Sequence, residues 1–282
     1  MRVICTEKSQ ILATQLARVL KTTVVPVKFS RFPDGELYLI TGELDDETII
    51  VGSVTDNDAL VQLLLLIDAC DSSTRRLVIP YMAYGRQDRR FKTGEPVSAR
   101  AVAQVFSHGV SDVTTVNIHE KEVLRYFSVP AQNISLARDI GSYIEKLHLQ
   151  DPLILAPDEG ALGFAETVAS FGGWDFDHLE KTRLSGVEVR MASRMLCTAS
   201  RSVVIVDDII STGGTISTAA GMLYSQGAKD VFAACVHGVL TGGAYVNLIN
   251  AGVRDVICSD TIERGCSKIS AADQIASSLK KR

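Results

Sequence analysis

The stretch VVIVDDIISTGGTI, which occupies residues 203–216, decides the fold of this chain. Its first four residues are apolar and β-branched, which is typical of a strand buried on both faces of a sheet. Asp207 and Asp208 end the predicted strand, and a loop of serine, threonine and glycine leads into residues with helical periodicity. A strand that runs through such a loop into a helix indicates an α/β domain with a parallel sheet.

The loop between this strand and helix has the composition of an anion site. Gly213 and Gly214 allow the backbone to approach a ligand closely, and the first N–H groups of a helix attract negative charge. Ser211, Thr212 and Thr215 add hydroxyl groups. A phosphate monoester fits this loop, while the two preceding acids suit sugar hydroxyls or a metal-bound group. The pattern therefore indicates a ribose phosphate.

Other phosphate loops fit the stretch less well. It lacks the Gly-Lys-Ser/Thr element of a Walker A loop, and it is not a dinucleotide fingerprint. A plain strand-to-helix turn with Asp and Thr caps accounts for one acid or one threonine, but hardly for the whole set. The stretch resembles the phosphoribosyl diphosphate loop of the type I phosphoribosyltransferase fold.

Outward from this loop, strand-like and helix-like patterns alternate from Arg2 to Ser259. The alternation predicts an α/β fold with two similar domains, each a mainly parallel sheet flanked by helices. We place an N-terminal domain at residues 1–137 and a C-terminal domain at residues 138–282. The basic end of the chain, residues 279–282, is predicted to be a solvated helix end. Ligands of such sheets bind at the carboxyl ends of the strands.

Composition excludes several classes of protein. The 282 residues are 46% hydrophobic and 22% charged, which is enough to bury a sizeable core. A net charge of −4 gives no broad footprint for nucleic acid or anionic membrane. Apolar runs fall far short of the roughly 20 residues of a membrane span, and the N-terminus lacks a signal-peptide pattern. Six scattered cysteines without a C-x-x-C pair predict reduced thiols. We therefore expect a soluble cytoplasmic protein that binds neither nucleic acid nor membrane.

Four further motifs follow strand-like runs. They are FPDGE at residues 32–36, YGRQDRR at 84–90 (continuing into KTGEP at 92–96), NIHE at 117–120 and PDEGA at 157–161. Together with the phosphate loop they resemble the ribose-phosphate pyrophosphokinase family over nearly the whole chain. The EKTR form of residues 180–183 and the short length resemble the archaeal branch of that family.

The resemblance implies a reaction. The anomeric hydroxyl of ribose 5-phosphate attacks the β-phosphorus of ATP, giving 5-phosphoribosyl 1-diphosphate and AMP. The resemblance also implies Mg²⁺ as cofactor and a homodimer or higher homo-oligomer, with the first motif reaching across a dimer interface into a shared ATP site. Two alternatives remain: a phosphoribosyltransferase that consumes this product, and a non-catalytic regulatory relative.

The residues implied to bind ATP carry groups that suit a purine nucleotide. They are Phe32, Asp34, Gly35, Glu36, Arg86 and Gln87. An aromatic ring and a guanidinium can stack on adenine, and the polar side chains can bond its edge or the ribose. Pro-Asp-Gly is also ordinary turn chemistry, so its pairing with Arg86 and Gln87 decides the interpretation. A basic cluster either contacts phosphate or forms a solvated face: Arg89, Arg90, Lys92 and Arg100.

The remaining site residues come from the resemblance. It implies His119 and Asp158 as magnesium ligands, and Lys181 and Arg183 as catalytic residues in a loop that closes over the reactants with Gly186 as a hinge. From the residues alone, a single histidine after a strand is more often structural, and charges in a hairpin are more often solvated. The implied ribose-phosphate site comprises Arg183, Asp207, Asp208, Ser211, Thr212, Gly213, Gly214 and Thr215.

Two positions depart from the family pattern. Asn117 stands where many members carry an acid, so its contribution to metal binding is open. Ser211 replaces an acid of other branches, and its hydroxyl still serves a 5-phosphate. The implied catalytic and metal positions are all present.

Overall fold

The computed structural model describes residues 1–179, 181–183, 189–191 and 197–280, and the chain divides into two compact units. The first unit comprises Met1–Ser135, Asp260–Glu263 and Ser270–Arg282. The second comprises Leu136–Ser259 and Arg264–Ile269. Each unit contains its own parallel sheet and its own helices.

The strands of the first unit are short. They are β1 (Arg2–Cys5), β2 (Val27–Arg31), β3 (Leu37–Thr41), β4 (Glu47–Val51), β5 (Thr74–Ile79), β6 (Asp112–Val116) and β7 (Ala131–Ile134). Five of them form a sheet in the order β1-β4-β5-β6-β7, with every neighbouring pair parallel. The other two, β2 and β3, form a separate antiparallel hairpin. The hairpin carries the first of the four motifs at its turn.

The second unit has a six-stranded parallel sheet and a short ribbon. Its strands are β8 (Leu153–Ala156), β9 (Asp175–His178), β10 (Lys181–Arg183), β11 (Val189–Met191), β12 (Ser202–Ile210), β13 (Asp230–Gly238), β14 (Val253–Ser259) and β15 (Ser267–Ile269). The sheet has the order β15-β14-β13-β12-β8-β9, and β10 pairs antiparallel with β11. The strand predicted from the deciding stretch, β12, therefore lies between β8 and β13 near the middle of the sheet.

The α-helices follow the strands as the alternation predicts. They are α1 (Gln10–Leu20), α2 (Asn57–Asp68), α3 (Ser98–Phe106), α4 (Ala137–Lys146), α5 (Leu162–Ala169), α6 (Gly214–Ser225), α7 (Ala244–Asn250) and α8 (Ala272–Lys280). Helix α2 starts where expected for a capped helix, because the Asp56 carboxylate accepts a hydrogen bond of 2.9 Å from the Ala59 N–H. The predicted α/β class with two parallel sheets is confirmed.

The C-terminal segment differs from the predicted domain division. The predicted boundary at 137/138 lies near the observed division at Ser135, but the predicted C-terminal domain runs to residue 282, whereas Ser270–Arg282 belongs to the first unit. Helix α8 packs against α1 and buries Ile275 and Leu279. Sequence order does not reveal this return, because the apolar face of α8 suits either core equally well.

Three strands and one strand end were not predicted. Strands β7, β10 and β15 are short and polar. Helix α8 ends at Lys280 within the predicted helix end, where Leu279 is buried and Lys280 is exposed. Strand β12 continues past the two acids to Ile210, paired with Gly238 of β13. Asp207 and Asp208 thus lie within the strand rather than after it, because the ladder to β13 outweighs the low β-propensity of aspartate.

Most of the cysteines lie in the core. All six are free thiols, and five of them are buried. Burial, with the charge of Glu263 as a smaller contribution, raises the pKa of the Cys5 thiol to about 12. Burial likewise raises the pKa of Cys70 to about 11. No helix among the described residues is long and apolar enough to cross a membrane.

Replacing Ile275 by alanine tests the assignment of α8 to the first unit. Its side chain is fully buried, so we expect Ile275→Ala to lower the free energy of unfolding by about 2–5 kcal/mol. Urea denaturation followed by circular dichroism measures the change. Ser277→Ala, at an exposed position of the same helix, is the matched control and should be near neutral. An equal effect of the two variants would contradict the assignment.

Candidate active site

The predicted phosphate loop connects β12 to α6. The ladder between β12 and β13 continues into it, since the Thr241 N–H donates to the Ser211 carbonyl at 3.1 Å. Gly213 then takes a left-handed backbone with φ 72°. A Cβ atom there would lie 3.0 Å from Cγ of Leu248. Only glycine combines this backbone with this close packing.

The N-terminus of α6 has no side-chain cap. Gly213 occupies the N-cap position and carries no side chain that could accept from the helix N–H groups. A Cβ atom on Gly214 would meet only Oγ1 of Thr212, at 4.0 Å, so the first residue of the helix has open space beside it. A 12-residue helix with an open N-terminus offers N–H groups and a positive dipole end to an anion. The structure therefore brings together the elements of the predicted phosphate site.

Three carboxylates lie at the same edge of the sheet. Asp207 and Asp208 stand near the end of β12, and the Asp208 N–H donates to Oδ1 of Asp207 at 2.8 Å. Asp158 follows β8, which pairs parallel with β12. Burial raises the pKa of Asp207 to about 8, with the neighbouring Asp208 charge next in size and the Asp158 charge also contributing. This edge of the sheet concentrates negative charge that a cation would relieve.

The donors at this edge suit a cation that takes few protein ligands. Asp158 is partly exposed and has an extended backbone at the start of a short turn, residues 159–161, that leads into α5. Among the described residues, no group of three or more His, Cys, Asp or Glu side chains is arranged to hold a metal. Magnesium needs no such group, because it keeps several waters and binds through one or two carboxylates together with substrate phosphates.

The predicted histidine ligand belongs to the first unit. His119 is exposed and lies just after β6. Two residues before it, Asn117 takes a left-handed backbone with φ 38°, and its N–H donates to the Ile134 carbonyl at 2.8 Å. Asparagine tolerates this conformation better than most residues, so Asn117 has a structural role in turning the chain after β6.

The first predicted ATP motif forms the turn of the β2–β3 hairpin. The Gly35 N–H donates to the Phe32 carbonyl and the Phe32 N–H to the Glu36 carbonyl, each at 2.9 Å. Gly35 has φ 95°, which favours glycine. The turn is exposed throughout, and the Phe32 and Tyr38 rings pack in a T-shaped arrangement with 5.4 Å between ring centroids. An aromatic face and two carboxylates are thus presented on a shaped, exposed turn.

The second predicted ATP motif lies in the segment between β5 and α3. Arg86 is exposed, whereas Gln87 joins the segment to the start of α3. The Gln87 side-chain oxygen accepts from the Ser98 hydroxyl at 2.5 Å, and its backbone carbonyl accepts from the Ala99 N–H at 3.2 Å. In the basic cluster that follows, the Arg89 guanidinium lies over the Phe91 ring at 5.4 Å. All four members of that cluster are exposed.

The predicted catalytic loop is described in part. Lys181 and Arg183 lie on β10, opposite Met191 and Val189 of β11, and only their backbone is described. Glu180 and the predicted hinge Gly186 lie outside the described residues. The sequence analysis predicts a loop at Lys181 and Arg183, so their place on a strand paired with β11 differs from that prediction.

Two contacts near the ATP motifs were missed by sequence reasoning. Arg31 and Asp58 form an ion pair with 2.5 Å between Nη2 and Oδ2, and the Tyr84 hydroxyl donates to the Asn57 side chain. The partners lie 27 residues apart in each case. No pattern in the sequence points to such pairs, because they depend on where the hairpin and the β5–α3 segment meet α2.

Comparison with known proteins covers both units. The N-terminal domain of ribose phosphate pyrophosphokinase matches residues 1–109, and the phosphoribosyl transferase domain matches residues 131–267. The chain is 51% identical over 275 residues to the ribose-phosphate pyrophosphokinase of Methanosarcina mazei, covering 96% of this chain and 92% of the relative. It is 48% identical to that of Methanosarcina acetivorans over the full length of both.

A solved structure agrees with these matches. The crystal structure of phosphoribosylpyrophosphate synthetase from Mycobacterium smegmatis superposes with a TM-score of 0.85 at 27% identity. The superposition covers 99% of this chain and 97% of that one. The predicted family and its archaeal resemblance are confirmed, and this chain belongs to the ribose-phosphate pyrophosphokinase family.

Proposed function

We propose that this chain transfers the diphosphoryl group of ATP to the C1 hydroxyl of ribose 5-phosphate, giving 5-phosphoribosyl 1-diphosphate and AMP. The observation that carries the proposal is the uncapped N-terminus of α6 directly after Asp207 and Asp208, within a full-length member of this family. The enzyme is a ribose-phosphate diphosphokinase, and it works in nucleotide biosynthesis in the cytoplasm.

Ribose 5-phosphate is assigned to the second unit. Its phosphate accepts hydrogen bonds from the backbone N–H groups at the start of α6. It also accepts hydrogen bonds from the loop hydroxyls of Ser211, Thr212 and Thr215. The carboxylates of Asp207 and Asp208 accept from the ribose hydroxyls. Burial and the Asp208 charge raise the pKa of Asp207, and hydrogen bonds from the ribose hydroxyls would offset the lost hydration of its carboxylate form.

ATP is assigned to the first unit. The exposed ring of Phe32 and the exposed guanidinium of Arg86 stack on adenine. Asp34, Glu36 and the Gln87 amide bond the base edge or the ribose, and the φ of 95° at Gly35 sets the shape of the turn. The basic cluster stays a predicted phosphate contact, since the chain presents it fully exposed.

Magnesium is the proposed cofactor. When bound, it neutralises charge on the polyphosphate oxygens and polarises the phosphorus under attack. Asp158 is the proposed ligand whose chemistry fits, in an edge of the sheet already crowded with carboxylates. His119 stays a predicted ligand from the first unit. Lys181 and Arg183 are proposed to stabilise charge on the transferring diphosphoryl group, with Arg183 also contacting the ribose-phosphate side.

A homodimer or higher homo-oligomer is also proposed, with the turn at residues 32–36 contributing to a shared ATP site. Exposed apolar side chains on two contacting elements support an interface there. They are Tyr38 and Ile40 on β3, and Val61 and Leu65 on α2. Side chains of this kind are enriched where subunits associate.

An assay of AMP release tests the proposed reaction. Purified chain with ATP, ribose 5-phosphate and Mg²⁺ should form AMP and 5-phosphoribosyl 1-diphosphate in equal amounts without any nucleobase. Lys181→Ala should lower turnover about 10²–10³-fold while ATP binding, measured by calorimetry, persists. A phosphoribosyltransferase would need a nucleobase, and a regulatory relative would show no turnover that Lys181→Ala could change.

A pair of glycine variants tests the phosphate loop. Gly213→Ala should destabilise the second unit by about 1–2 kcal/mol and raise the KM for ribose 5-phosphate, because a left-handed alanine is strained and its Cβ meets Leu248. Gly214→Ala should leave the thermal unfolding midpoint unchanged, since its Cβ meets open space. Thermal unfolding and steady-state kinetics measure both. Equal stability of the two variants would argue against the strained loop.

Mixing two inactive variants tests the shared ATP site. Phe32→Ala removes the stacking ring, and Asp208→Ala removes a ribose contact, so each variant alone should be nearly inactive. When the two chains are co-expressed, a heterodimer has one intact site, and activity should recover to about a quarter of wild type. Separately purified chains mixed without subunit exchange are the control. No recovery in verified heterodimers would mean that each ATP site is built from a single chain.

A further inference from the structure

The first turn of α2 contacts both predicted ATP motifs. Asp56 caps the helix through the Ala59 N–H. The next two side chains point to different partners: Asn57 accepts from the Tyr84 hydroxyl, and Asp58 accepts from the Arg31 guanidinium. Arg31 directly precedes the turn at residues 32–36, and Tyr84 stands two residues before Arg86. The first turn of α2 therefore contacts Arg31, which precedes the first motif, and Tyr84, which begins the second motif.

Arg31 joins the hairpin turn to α2 with a single guanidinium. Its Nη1 donates to the Gly35 carbonyl at 2.9 Å, and its Nη2 donates to Oδ2 of Asp58 at 2.5 Å. These are two different nitrogens of one rigid, planar group, so the turn and the helix are fixed at a defined distance and angle. Lysine has one nitrogen on a flexible stem and cannot reproduce this geometry.

The hairpin needs such a connection to hold its turn in place. Within the described part of the chain its two strands pair with each other and with no further strand, and a two-stranded hairpin is marginally stable on its own. The bonds between Phe32, Gly35 and Glu36 fix the shape of the turn but not its orientation. Val27 and Leu39 pack the strands of the hairpin against the core of the unit. The Arg31–Asp58 contact adds a link from the turn end of the hairpin to α2, which is anchored in the same core by Leu63 and Leu66.

The second motif is held from the same helix end. Tyr84 has a left-handed backbone with φ 67°, which is uncommon for a residue with a Cβ and persists only where the surroundings enforce it. Its hydroxyl donates to the Asn57 side chain, and its carbonyl accepts from the Gln87 N–H at 3.3 Å. The sharp turn that presents Arg86 and Gln87 is thus tied to α2 as well.

We infer that Arg31, Asp58, Asn57 and Tyr84 are positioning residues for ATP: through the first turn of α2 they set the orientation of both nucleotide motifs. This inference rests on the proposed function, which assigns ATP to those motifs. The side chains of Arg31 and Asp58 are 49% and 66% exposed, and an ion pair so exposed adds little to stability. Loss of the contact therefore affects nucleotide binding rather than folding.

Arginine variants separate positioning from a structural role. Arg31→Met and Arg31→Lys should each raise the KM for ATP about tenfold, the effect of losing one charge-assisted hydrogen bond on an ordered loop. The KM for ribose 5-phosphate should stay within about twofold of wild type, and the thermal unfolding midpoint should not change. Lys8→Met is the matched control, because Lys8 pairs with Asp56 at the same helix end without contacting either motif.

A double-mutant cycle tests whether the contacts act as one unit. Asp58→Asn should raise the KM for ATP less than Arg31→Met does, and the double variant should match Arg31→Met alone. Tyr84→Phe should raise the same KM through the second motif, additively with Arg31→Met. Rescue by lysine, a parallel rise in the KM for ribose 5-phosphate, or a lowered unfolding midpoint in Arg31→Met would overturn the inference.

Hydrogen exchange distinguishes a failure of this inference from a failure of the proposed function. In Arg31→Met, amides of residues 32–36 should exchange faster than in wild type or Lys8→Met, whether or not ATP is turned over. If residues 32–36 exchange faster in Arg31→Met but the wild-type chain releases no AMP, the proposed function is contradicted and the positioning contact is supported. If exchange in Arg31→Met is unchanged and the wild-type chain releases AMP, only the positioning contact is contradicted.

Discussion

Parallel alignment of β8, β12 and β13 is the constraint on which the candidate site depends. Because these strands run in the same direction, their carboxyl ends meet at one edge, and that edge receives Asp158, Asp207 and the open end of α6. Gathering carboxylates there is unfavourable, as the pKa of about 8 for Asp207 indicates. This crowding is consistent with the proposed ribose hydroxyls and cation at this edge, and the helix end beside it suits the proposed phosphate.

In the first unit, both proposed ATP motifs lie on segments outside the parallel sheet. The hairpin is an added feature, and the segment after β5 is irregular. The hairpin packs on the core through Val27 and Leu39, and the segment after β5 is bridged to Val54 through Met82. Side chains from the first turn of α2 add a further contact to each segment. The unit is completed by chain that returns from far along the sequence: Glu263 accepts the Leu12 N–H at 2.9 Å, and α8 packs on α1. The core of the first unit therefore includes residues from both ends of the sequence.

How much was predictable varies with the range of the interaction. The strand–loop–helix stretch and its glycines follow from neighbouring residues, and the structure shows both. Phosphate binding by the loop stays a prediction. The strand end was predicted too early, because pairing with β13 carries β12 on to Ile210. Strands β7 and β15 were missed because they are short and polar, and α8 was given to the other unit. The Arg31–Asp58 and Tyr84–Asn57 contacts had no signal, since they join segments 27 residues apart.

The sequence by itself determined the α/β class, the family and the strand–loop–helix at residues 203–216, because each depends on local periodicity or on motifs with a fixed internal spacing. Tertiary structure alone decided which core receives the C-terminal helix, how strongly the carboxyl of Asp207 is perturbed, and which side chains orient the nucleotide motifs. These depend on distances between segments remote in sequence. Such distances are set by sheet order and core packing, which no local pattern encodes.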